Sequence, residues 1–491
     1  MRRTILFVFL TFLLAASVVG SVSAAGTAWH AMRVRNLGHR IGAAGGAAVS
    51  KSGTSLVVFA SKGSLTIVRR SEHASKFEVS ARQSADNPEV IGLTALGDGS
   101  FLLVYTTERG LLARGVDGAG HFKGSAHVLK SGRSISFVSL PLVAVESDAS
   151  RTVVVWALNG KTTETIKGAI DDQAGWSGAK LLYSVRSGKT GPYFLQAVSD
   201  SQDRFLVSLH GTYTDLTAVM WGLAPGSRLW EPVTPPQTTD NSTLAEQNGA
   251  TLASVNGVIT AAWQNASGAL VVSTWDGSTW TTPVTAITGS QTSSGSPAVI
   301  YPRFVSDGSR AAIVWGDESE TLFGPLKATI RASSEGSWSP PLTFPHSRND
   351  PNSSQETFWF APSGALAGIW SNSNFPKLAS APTLYAGTVS GSAASATALG
   401  KTQNPESARN WFVLPRSAGL RTIVWADPKD REFSTGVTAN GSIQQKQSFP
   451  ACADPRVAAS NADASAQVVV VAPVGHLPAT SGPKCPALLL W

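Results

Sequence analysis

Short apolar runs, each introduced by a polar turn and ending in an aromatic residue, return along the whole chain. In "SDGSRAAIVWGD", which starts at Ser306, a Ser-Asp-Gly turn leads into an apolar run that ends at Trp315. Similar stretches start at Ser147, Val255, Pro362 and Arg416. Runs this short, rich in β-branched residues and bounded by turn residues, predict β-strands joined by hairpins.

The aromatic position that ends each run recurs at intervals of 46 to 55 residues. Its members are Phe59, Tyr105, Trp156, Leu209, Trp263, Trp315, Trp370, Trp425 and Val471. This spacing predicts nine repeat units of similar length. The unit around Leu209 has no aromatic residue at this position, and an insertion is an alternative interpretation of that unit.

A second aromatic position falls on another predicted strand of most units, at Trp29, Phe77, Phe122, Trp176, Trp230, Trp280 and Trp338. Together with the strands between and before these positions, each unit contains four short strands, which we call a, b, c and d. Units of four antiparallel strands and about 50 residues are typical of the blades of a β-propeller, where stacking buries the faces that one blade cannot bury alone. Both aromatic positions are therefore interpreted as packing residues.

The two ends of the chain complement each other. The last unit has strands a, b and c and stops at Trp491 without a strand d, whereas "WHAMRVRN", from Trp29, has the pattern of strand d with no a, b or c before it. We predict that strand 29–36 pairs with the strand ending at Trp491 and closes the ring, which removes free sheet edges. The predicted fold is an all-β single β-propeller of four-stranded blades, with seven to nine blades.

The first 25 residues have the order of a secretory signal peptide: two arginines, an apolar run from Ile5 to Val19, and small residues. The run is shorter than the roughly 20 residues that span a bilayer. We therefore expect a signal peptide at 1–25 and a propeller domain at 26–491, with no membrane span after cleavage. The expected location is secreted or extracellular, with association with the cell wall as one alternative.

Charge is sparse and scattered. Only 14% of residues are charged, and the formal charge of +7 falls to 7 − 2 = +5 without Arg2 and Arg3. Because the basic residues are not clustered, a nucleic-acid partner is not expected. We expect the protein to be a monomer. No cofactor is expected either.

The two cysteines, Cys452 and Cys485, lie near the C-terminus. In an exported chain such a pair normally forms a disulfide, which is our prediction here. Because His476 stands alone between them, the pair does not make a four-ligand zinc site, and no metal site is predicted.

The connections differ between the two faces of the predicted propeller. The a-to-b and c-to-d turns are tight and rich in Gly, Asp and Ser, whereas the b-to-c loops and d-to-a crossovers on the other face are long and varied. We therefore place a binding site on the second face. The candidate binding residues are Arg303, Asp317, Glu318, Arg409, Asp427 and Asp430. We expect Asp317 and Glu318 to be exposed loop residues whose replacement leaves folding intact.

The turns "SDGSRAAIVW" from Ser306 and "SDASRTVVVW" from Ser147 resemble the "S-x-D-x-G-x-x-W" boxes of exported bacterial propellers in the broad sialidase-like group. The resemblance implies a β-propeller with a glycan ligand. It departs at two points: these turns lie between strands a and b rather than c and d, and none of the six tyrosines stands beside a strand-borne Glu as a sialidase nucleophile requires. A fold shared with sialidases does not by itself imply the same activity.

No motif for a metalloprotease, a serine hydrolase or a phosphate loop occurs in the chain. The sequence favours a binding module for an extracellular glycan or protein over an enzyme. The alternative is a sialidase-like glycoside hydrolase or lyase that uses carboxylates from the 317–320 and 427–432 loops. Two carboxylates about 5 to 10 Å apart would indicate the enzyme.

Overall fold

The structure, a computed structural model, describes most of the chain after residue 28. The described residues are 29–37, 43–132, 137–145, 151–159, 162–172, 174–186, 193–211, 219–236, 251–265, 267–289, 299–319, 324–333, 336–347, 356–372, 383–391, 393–401, 411–416, 420–427, 432–438, 440–450, 454–461, 466–472 and 488–491.

The chain divides into two units, Met1–His30 and Ala31–Trp491. Of the first unit only residues 29 and 30 are described. The second unit begins with strand β1 (Ala31–Arg33) and a 3-10 helix (Val34–Leu37). Its other described elements are all strands, so the all-β prediction is confirmed.

The described strands of the second unit form nine antiparallel sheets, numbered here along the chain. Sheet 1 contains β2 (Ala43–Val49), β3 (Ser55–Ser61), β4 (Ser64–Arg70) and β5 (Glu78–Ser84); sheet 2 contains β6 (Glu89–Ala95), β7 (Phe101–Thr107), β8 (Gly110–Val116) and β9 (His127–Ser131); sheet 3 contains β10 (Phe137–Val145), β11 (Thr152–Asn159), β12 (Thr163–Asp172), β13 (Gly175–Trp176) and β14 (Lys180–Arg186).

The middle sheets follow the same order. Sheet 4 contains β15 (Tyr193–Ser199), β16 (Phe205–Gly211), β17 (Val219–Leu223) and β18 (Glu231–Val233); sheet 5 contains β19 (Thr251–Val255), β20 (Val258–Gln264), β21 (Leu270–Trp275) and β22 (Val284–Ile287); sheet 6 contains β23 (Val299–Ser306), β24 (Ala311–Asp317), β25 (Leu326–Arg331) and β26 (Leu342–Thr343).

The last sheets bring the ends of the second unit together. Sheet 7 contains β27 (Thr357–Phe360), β28 (Leu366–Ser371), β29 (Thr383–Ser390) and β30 (Ala393–Lys401); sheet 8 contains β31 (Trp411–Pro415), β32 (Arg421–Asp427), β33 (Glu432–Thr438) and β34 (Gln444–Pro450); sheet 9 contains β35 (Asp454–Asn461), β36 (Ala466–Ala472) and β37 (Leu488–Leu490), with β1 as its fourth strand.

Three sequence predictions need correction or refinement. The predicted strand 29–36 is shorter, because β1 ends at Arg33 and the chain then turns into the 3-10 helix; Met32 lies opposite Leu489. The unit around Leu209 is no insertion, since β15–β18 form a complete sheet. The second aromatic position marks the end of the c-to-d turn, not strand d itself: Phe77 and Trp230 each precede the strand, and both fold inward and are buried.

The second strand of each sheet is covered on both faces by neighbouring sheets. All described residues of β24 and β28 are buried, and the fully buried side chains include Trp156, Trp263 and Trp370 at the aromatic position. The outer strands, such as β5, have mostly exposed or half-buried residues. This gradient explains why strand b appears in the sequence as a continuous apolar run rather than as an alternating pattern.

Each hydrophobic core lies between two sheets rather than within one. Among the described residues, separate clusters join sheets 1 and 2, 2 and 3, 3 and 4, 4 and 5, 5 and 6, 6 and 7, and 7 and 8. Another cluster joins sheet 1 to sheet 9 through Val57, Phe59 and Val468, and β31 contacts β35. Packing of this kind between successive sheets supports the β-propeller prediction.

Arginine side chains fasten neighbouring sheets on the face of the a-to-b turns. Arg151, Arg204 and Arg310 each stand five residues before the aromatic position of their unit. Each guanidinium lies over an aromatic ring of the next sheet: over Phe205 at 5.0 Å, Trp275 at 5.6 Å and Phe360 at 4.8 Å, respectively. Each also donates to a backbone carbonyl of that sheet. On the face of the a-to-b turns, these contacts link neighbouring sheets.

Arg151 is the most completely buried of the three, at 3% exposure. It donates to the carbonyl oxygens of Ala224 at 2.9 Å, Ser227 at 2.8 Å and Asp203 at 2.6 Å. Replacing it by Ala leaves these carbonyls without their charged donor, so we expect R151A to lower the free energy of unfolding by about 3 kcal/mol. Urea titration measures this change.

The matched control is R228A, because Arg228 pairs with Asp172 at the surface and is 36% exposed. Exposed ion pairs contribute little to stability, so R228A should unfold close to the wild-type urea midpoint. Equal midpoints for R151A and wild type would show that the guanidinium contacts do not hold the sheets together.

Candidate functional site

Asp317 is a buried strand residue, not the exposed loop residue expected from the sequence. It is the last residue of β24 and 5% exposed. Its carboxylate forms an ion pair with Lys327 of β25 and accepts a hydrogen bond from the Ser319 N–H at 2.9 Å. Its own N–H donates to the Pro325 carbonyl at 3.0 Å. Asp317 therefore fastens both ends of the b-to-c loop of sheet 6.

The pKa of Asp317 follows from these contacts. Burial alone would raise it, but the hydrogen bonds from Lys327 and Ser319 and the charge of Lys327 outweigh burial and hold the pKa below the usual 3.8. The carboxylate is therefore ionised and engaged at neutral pH. A carboxyl group with a lowered pKa does not serve as a general acid near neutrality.

Arg303 is likewise paired. It follows a β-bulge in β23, where the register with β24 shifts between Ile300 and Arg303. Its guanidinium forms an ion pair with Glu356, whose side chain is fully buried just before β27 of the next sheet. The pair thus bridges sheets 6 and 7. Because its guanidinium is already paired, Arg303 holds the two sheets together and is not a free charge for a ligand.

The structure describes the other candidate binding residues only in part. Glu318 is half-buried in the loop after β24 and is engaged in a contact. Asp427 ends β32, but its side chain is not described, and Arg409 and Asp430 lie outside the described residues. Cys452 and Cys485 also lie outside them, so the disulfide stays a prediction. Within the described part of the chain, no three His, Cys, Asp or Glu side chains are grouped to hold a metal ion.

A cavity that the sequence did not predict lies between sheets 1 and 2, on the face of the b-to-c loops. Its volume is about 210 Å³. It is lined by Gln83, Ser84, Ala85, Asp86, Tyr105, Thr107, Arg109, Leu112 and Ala126. The first four residues come from the end of β5 and the crossover after it. Tyr105, Thr107, Arg109 and Leu112 come from β7, the b-to-c turn and β8, and Ala126 directly precedes β9.

Hydrogen bonds between the two sheets hold the rim of this cavity in place. The Asn87 amide donates to the Glu108 carboxylate at 2.9 Å, and the Glu108 N–H donates to the Asp86 carbonyl at 3.2 Å. The Arg109 N–H donates to the Thr107 hydroxyl at 3.0 Å. The crossover of sheet 1 and the turn of sheet 2 therefore form one hydrogen-bonded rim.

The floor of the cavity is apolar and its rim is charged. Tyr105 is 2% and Leu112 is 6% exposed. Burial raises the pKa of Tyr105, and the nearby charges of Arg114 and Arg109 oppose that shift only in part. The side chains of Asp86 and Arg109 are exposed at the rim. A cavity with an apolar floor and a few polar groups at its edge suits a small ligand that has both characters.

The sequence "STWDGSTW", from Ser273 to Trp280, forms a tight turn between strands c and d of sheet 5. Asp276 accepts hydrogen bonds from the N–H groups of Ser278 at 2.8 Å and Thr279 at 2.7 Å, which lower its pKa. Asp307 makes the same contacts in the a-to-b turn of sheet 6. In both turns the carboxylate caps its own backbone, which is a structural role.

No protein-family model and no curated protein matches the chain. Among solved structures, an α-L-arabinofuranosidase from Fusarium graminearum is similar at 12% identity and a TM-score of 0.34, covering 62% of this chain and 94% of that one. An ulvan lyase, a polysaccharide lyase, is similar at 11% identity and a TM-score of 0.40, covering 69% and 90%.

A post-proline cleaving enzyme from Rickettsia typhi is similar at 12% identity and a TM-score of 0.40, covering 76% of this chain and 56% of that one. Similarities at this level assign neither a family nor an activity to the chain. Within the described residues, no helix has the length and apolar character that a membrane crossing requires.

The ion pair of Asp317 predicts a specific acid response. Because its pKa is lowered in the folded state, its stabilising contribution is complete at neutral pH and is lost as the pH falls below 3.8 and through the folded-state pKa. We expect D317N to lower the free energy of unfolding at pH 7 by about 3 kcal/mol, because Lys327 loses its buried partner. The loss should shrink at low pH, where the wild-type carboxyl is also neutral.

Urea titrations of D317N, K327M and D317N/K327M at several pH values measure this contribution. If the two residues act as a pair, the double variant is less destabilised than the sum of the single variants. Additive losses, or a loss that is the same at pH 7 and at low pH, would contradict the assignment.

Proposed function

We propose that the nine sheets are the blades of one nine-bladed propeller whose ring is closed by the N-terminal strand. Support comes from the register of β1 with β37, in which Ala31 lies opposite Leu490 and Arg33 opposite Leu488. Further support comes from the contacts of β2 with β35 and β36. A strand borrowed from the other end of the chain joins first and last blades without leaving a free edge.

We propose that the chain is exported and binds an extracellular glycan on the face of the b-to-c loops and d-to-a crossovers. The observation that carries this proposal is the contrast between the two faces. On the turn face, Arg151, Arg204 and Arg310 are taken up by neighbouring carbonyls and rings, whereas the loop face holds the described cavity with an apolar floor and a charged rim.

Sugars present apolar C–H faces and hydroxyl groups that both donate and accept hydrogen bonds, so they match such a surface. We propose Arg409, Asp427 and Asp430, which the sequence assigns to connections of the same kind, as further contacts to the glycan. Asp317 and Arg303 act indirectly, by holding the loop of sheet 6 and the junction of sheets 6 and 7.

Ring closure is tested by a chain that starts at residue 38. Deleting residues 26–37 from the mature protein removes β1 and exposes the edge of β37, so we expect aggregation or oligomers in light scattering and a lower melting temperature. A chain that lacks only residues 26–28 keeps β1 and is the control. A monomeric 38–491 chain with an unchanged melting temperature would contradict closure.

Glycan recognition is tested on a glycan array with residues 26–491. We expect binding to one class of glycan, and an at least tenfold weaker signal for R409A/D430A, because charged hydrogen bonds to the ligand are lost. S309A, in an exposed turn of the other face, is the control and should bind as wild type does.

An array without any signal would contradict glycan binding. Release of new reducing ends or of unsaturated sugars from a bound polysaccharide would favour the hydrolase or lyase alternative over a binding module. R409A/D430A binding as strongly as wild type would exclude these two loops from the site.

A further inference from the structure

The repeats make it possible to compare the cavity between sheets 1 and 2 with the same place between other sheets. Tyr105 of strand b lies opposite Leu112 of strand c, and in sheet 7 Trp370 lies opposite Tyr385 in the same way. Tyr105 and Trp370 occupy the same repeat position. Leu112 and Tyr385 are therefore equivalent residues.

The preceding outer strands can be matched as well. Gln83 lies opposite Leu65, which pairs with the residue after the aromatic position of sheet 1. Phe344 donates its N–H to Leu326, which holds the corresponding place in sheet 6. Gln83 is therefore equivalent to Phe344, and two residues further on Ala85 is equivalent to His346.

Between sheets 6 and 7 this place is filled by side chains. The ring of Phe344 lies 5.0 Å from the ring of Trp370, and the ring of His346 stacks on Tyr385 at 5.2 Å with an angle of 20° between the planes. The Trp370 indole also donates to the Pro345 carbonyl at 3.0 Å. Aromatic residues therefore occupy all four positions there.

Between sheets 1 and 2 the four equivalent residues are smaller. Glutamine stands in place of Phe344, alanine in place of His346, tyrosine in place of Trp370 and leucine in place of Tyr385. Ala85, Leu112 and Ala126, which carry small or aliphatic side chains, all line the cavity. Compared with the junction of sheets 6 and 7, the cavity therefore takes the place of the His346 ring.

The charged side chains at the rim determine whether the cavity favours a charged or a neutral ligand. Within the described residues, the side chains of Asp86 and Arg109 make no hydrogen bond or ion pair with the protein. A carboxylate only accepts hydrogen bonds and a guanidinium only donates them, whereas neighbouring hydroxyl groups do both. Asp86 and Arg109 carry opposite charges, so the rim gives no net attraction to an anion or to a cation, whereas the hydroxyl groups of a neutral polyol can bond to both side chains without charge repulsion.

We propose that this cavity binds one neutral monosaccharide unit, with its hydroxyl groups on Asp86 and Arg109 and its C–H face over Leu112 and Ala85. Pockets for drug-sized ligands have volumes of about 300 to 1,000 Å³, and the smaller cavity of about 210 Å³ admits a single sugar ring. The choice of a sugar rests on the proposed glycan binding, but the location rests on the cavity alone.

The test titrates residues 26–491 with D-glucose, D-galactose and D-mannose, and with D-glucuronate and D-glucosamine as charged counterparts, by isothermal calorimetry and NMR. We expect at least one neutral hexose to bind and the charged sugars to bind at least fivefold more weakly. No binding of any neutral hexose to the folded protein would overturn the proposal, as would stronger binding of a charged sugar.

Variants locate the site. A85H inserts the ring that stands at the equivalent position between sheets 6 and 7, and it should weaken binding at least tenfold. R109A changes an exposed side chain and should weaken binding at least fivefold without lowering the melting temperature. H346A alters the equivalent place in the other pair of sheets and serves as the matched control, with unchanged affinity.

The outcomes separate this proposal from the general one. If A85H and R109A bind the hexose as wild type does, the cavity is not its site, although array binding that R409A/D430A weakens would still support glycan recognition. If the array is empty but a hexose binds and A85H abolishes that binding, the cavity proposal stands without the wider one. If A85H does not fold, R109A decides.

Discussion

A four-stranded sheet with two apolar faces is stable only when both faces are covered, and the second unit of this chain is organised around that requirement. Strand b is buried on both sides, as in β24 and β28, and every core described joins two sheets rather than lying within one. Because the covering surface always comes from a neighbour, the contacts that matter most are those between sheets. The arginines that precede strand b serve the same purpose at the edge, since each reaches the ring and the carbonyl of the next sheet.

This requirement also explains what could be predicted from the sequence. Most units carry a large aromatic residue at the same place in their buried strand, so Trp156, Trp263, Trp315 and Trp370 appear at a regular spacing, and the four-stranded units follow from that spacing. The features that failed depend on local detail that periodicity does not record. The strand after Trp29 ends early because a 3-10 turn begins at Val34. Asp317 was taken for a loop residue because the length of a polar segment does not tell where strand β24 ends or that Lys327 stands beside it.

The cavity could not be predicted because it results from side chains that are absent. Gln83 and Ala85 come together with Tyr105 and Leu112 only after the units stack, and nothing within either unit marks the pairing. Once the register is known, the units can be aligned at the end of strand d and in strand c of the next unit. This alignment shows Ala85 at the position of His346 and Leu112 at the position of Tyr385. The candidate residues taken from long loops rested on composition alone, and of these Asp317 and Arg303 are held in ion pairs.

A repeat protein of this kind can acquire function only where its units differ without uncovering a core. The aromatic position cannot vary freely, because each large residue fills space that two sheets share, and a smaller residue leaves a cavity that costs stability. At the junction of sheets 1 and 2 the smaller residues stand at the end of the sheets, where the space opens to the surface and a ligand can fill it. The hydrogen bonds from Asn87 and Glu108 hold the two sides of that opening together without a packed ring between them. The loss of packing at one junction is therefore confined to its rim, and the core of the two sheets, which includes Leu103 and Val58, stays buried.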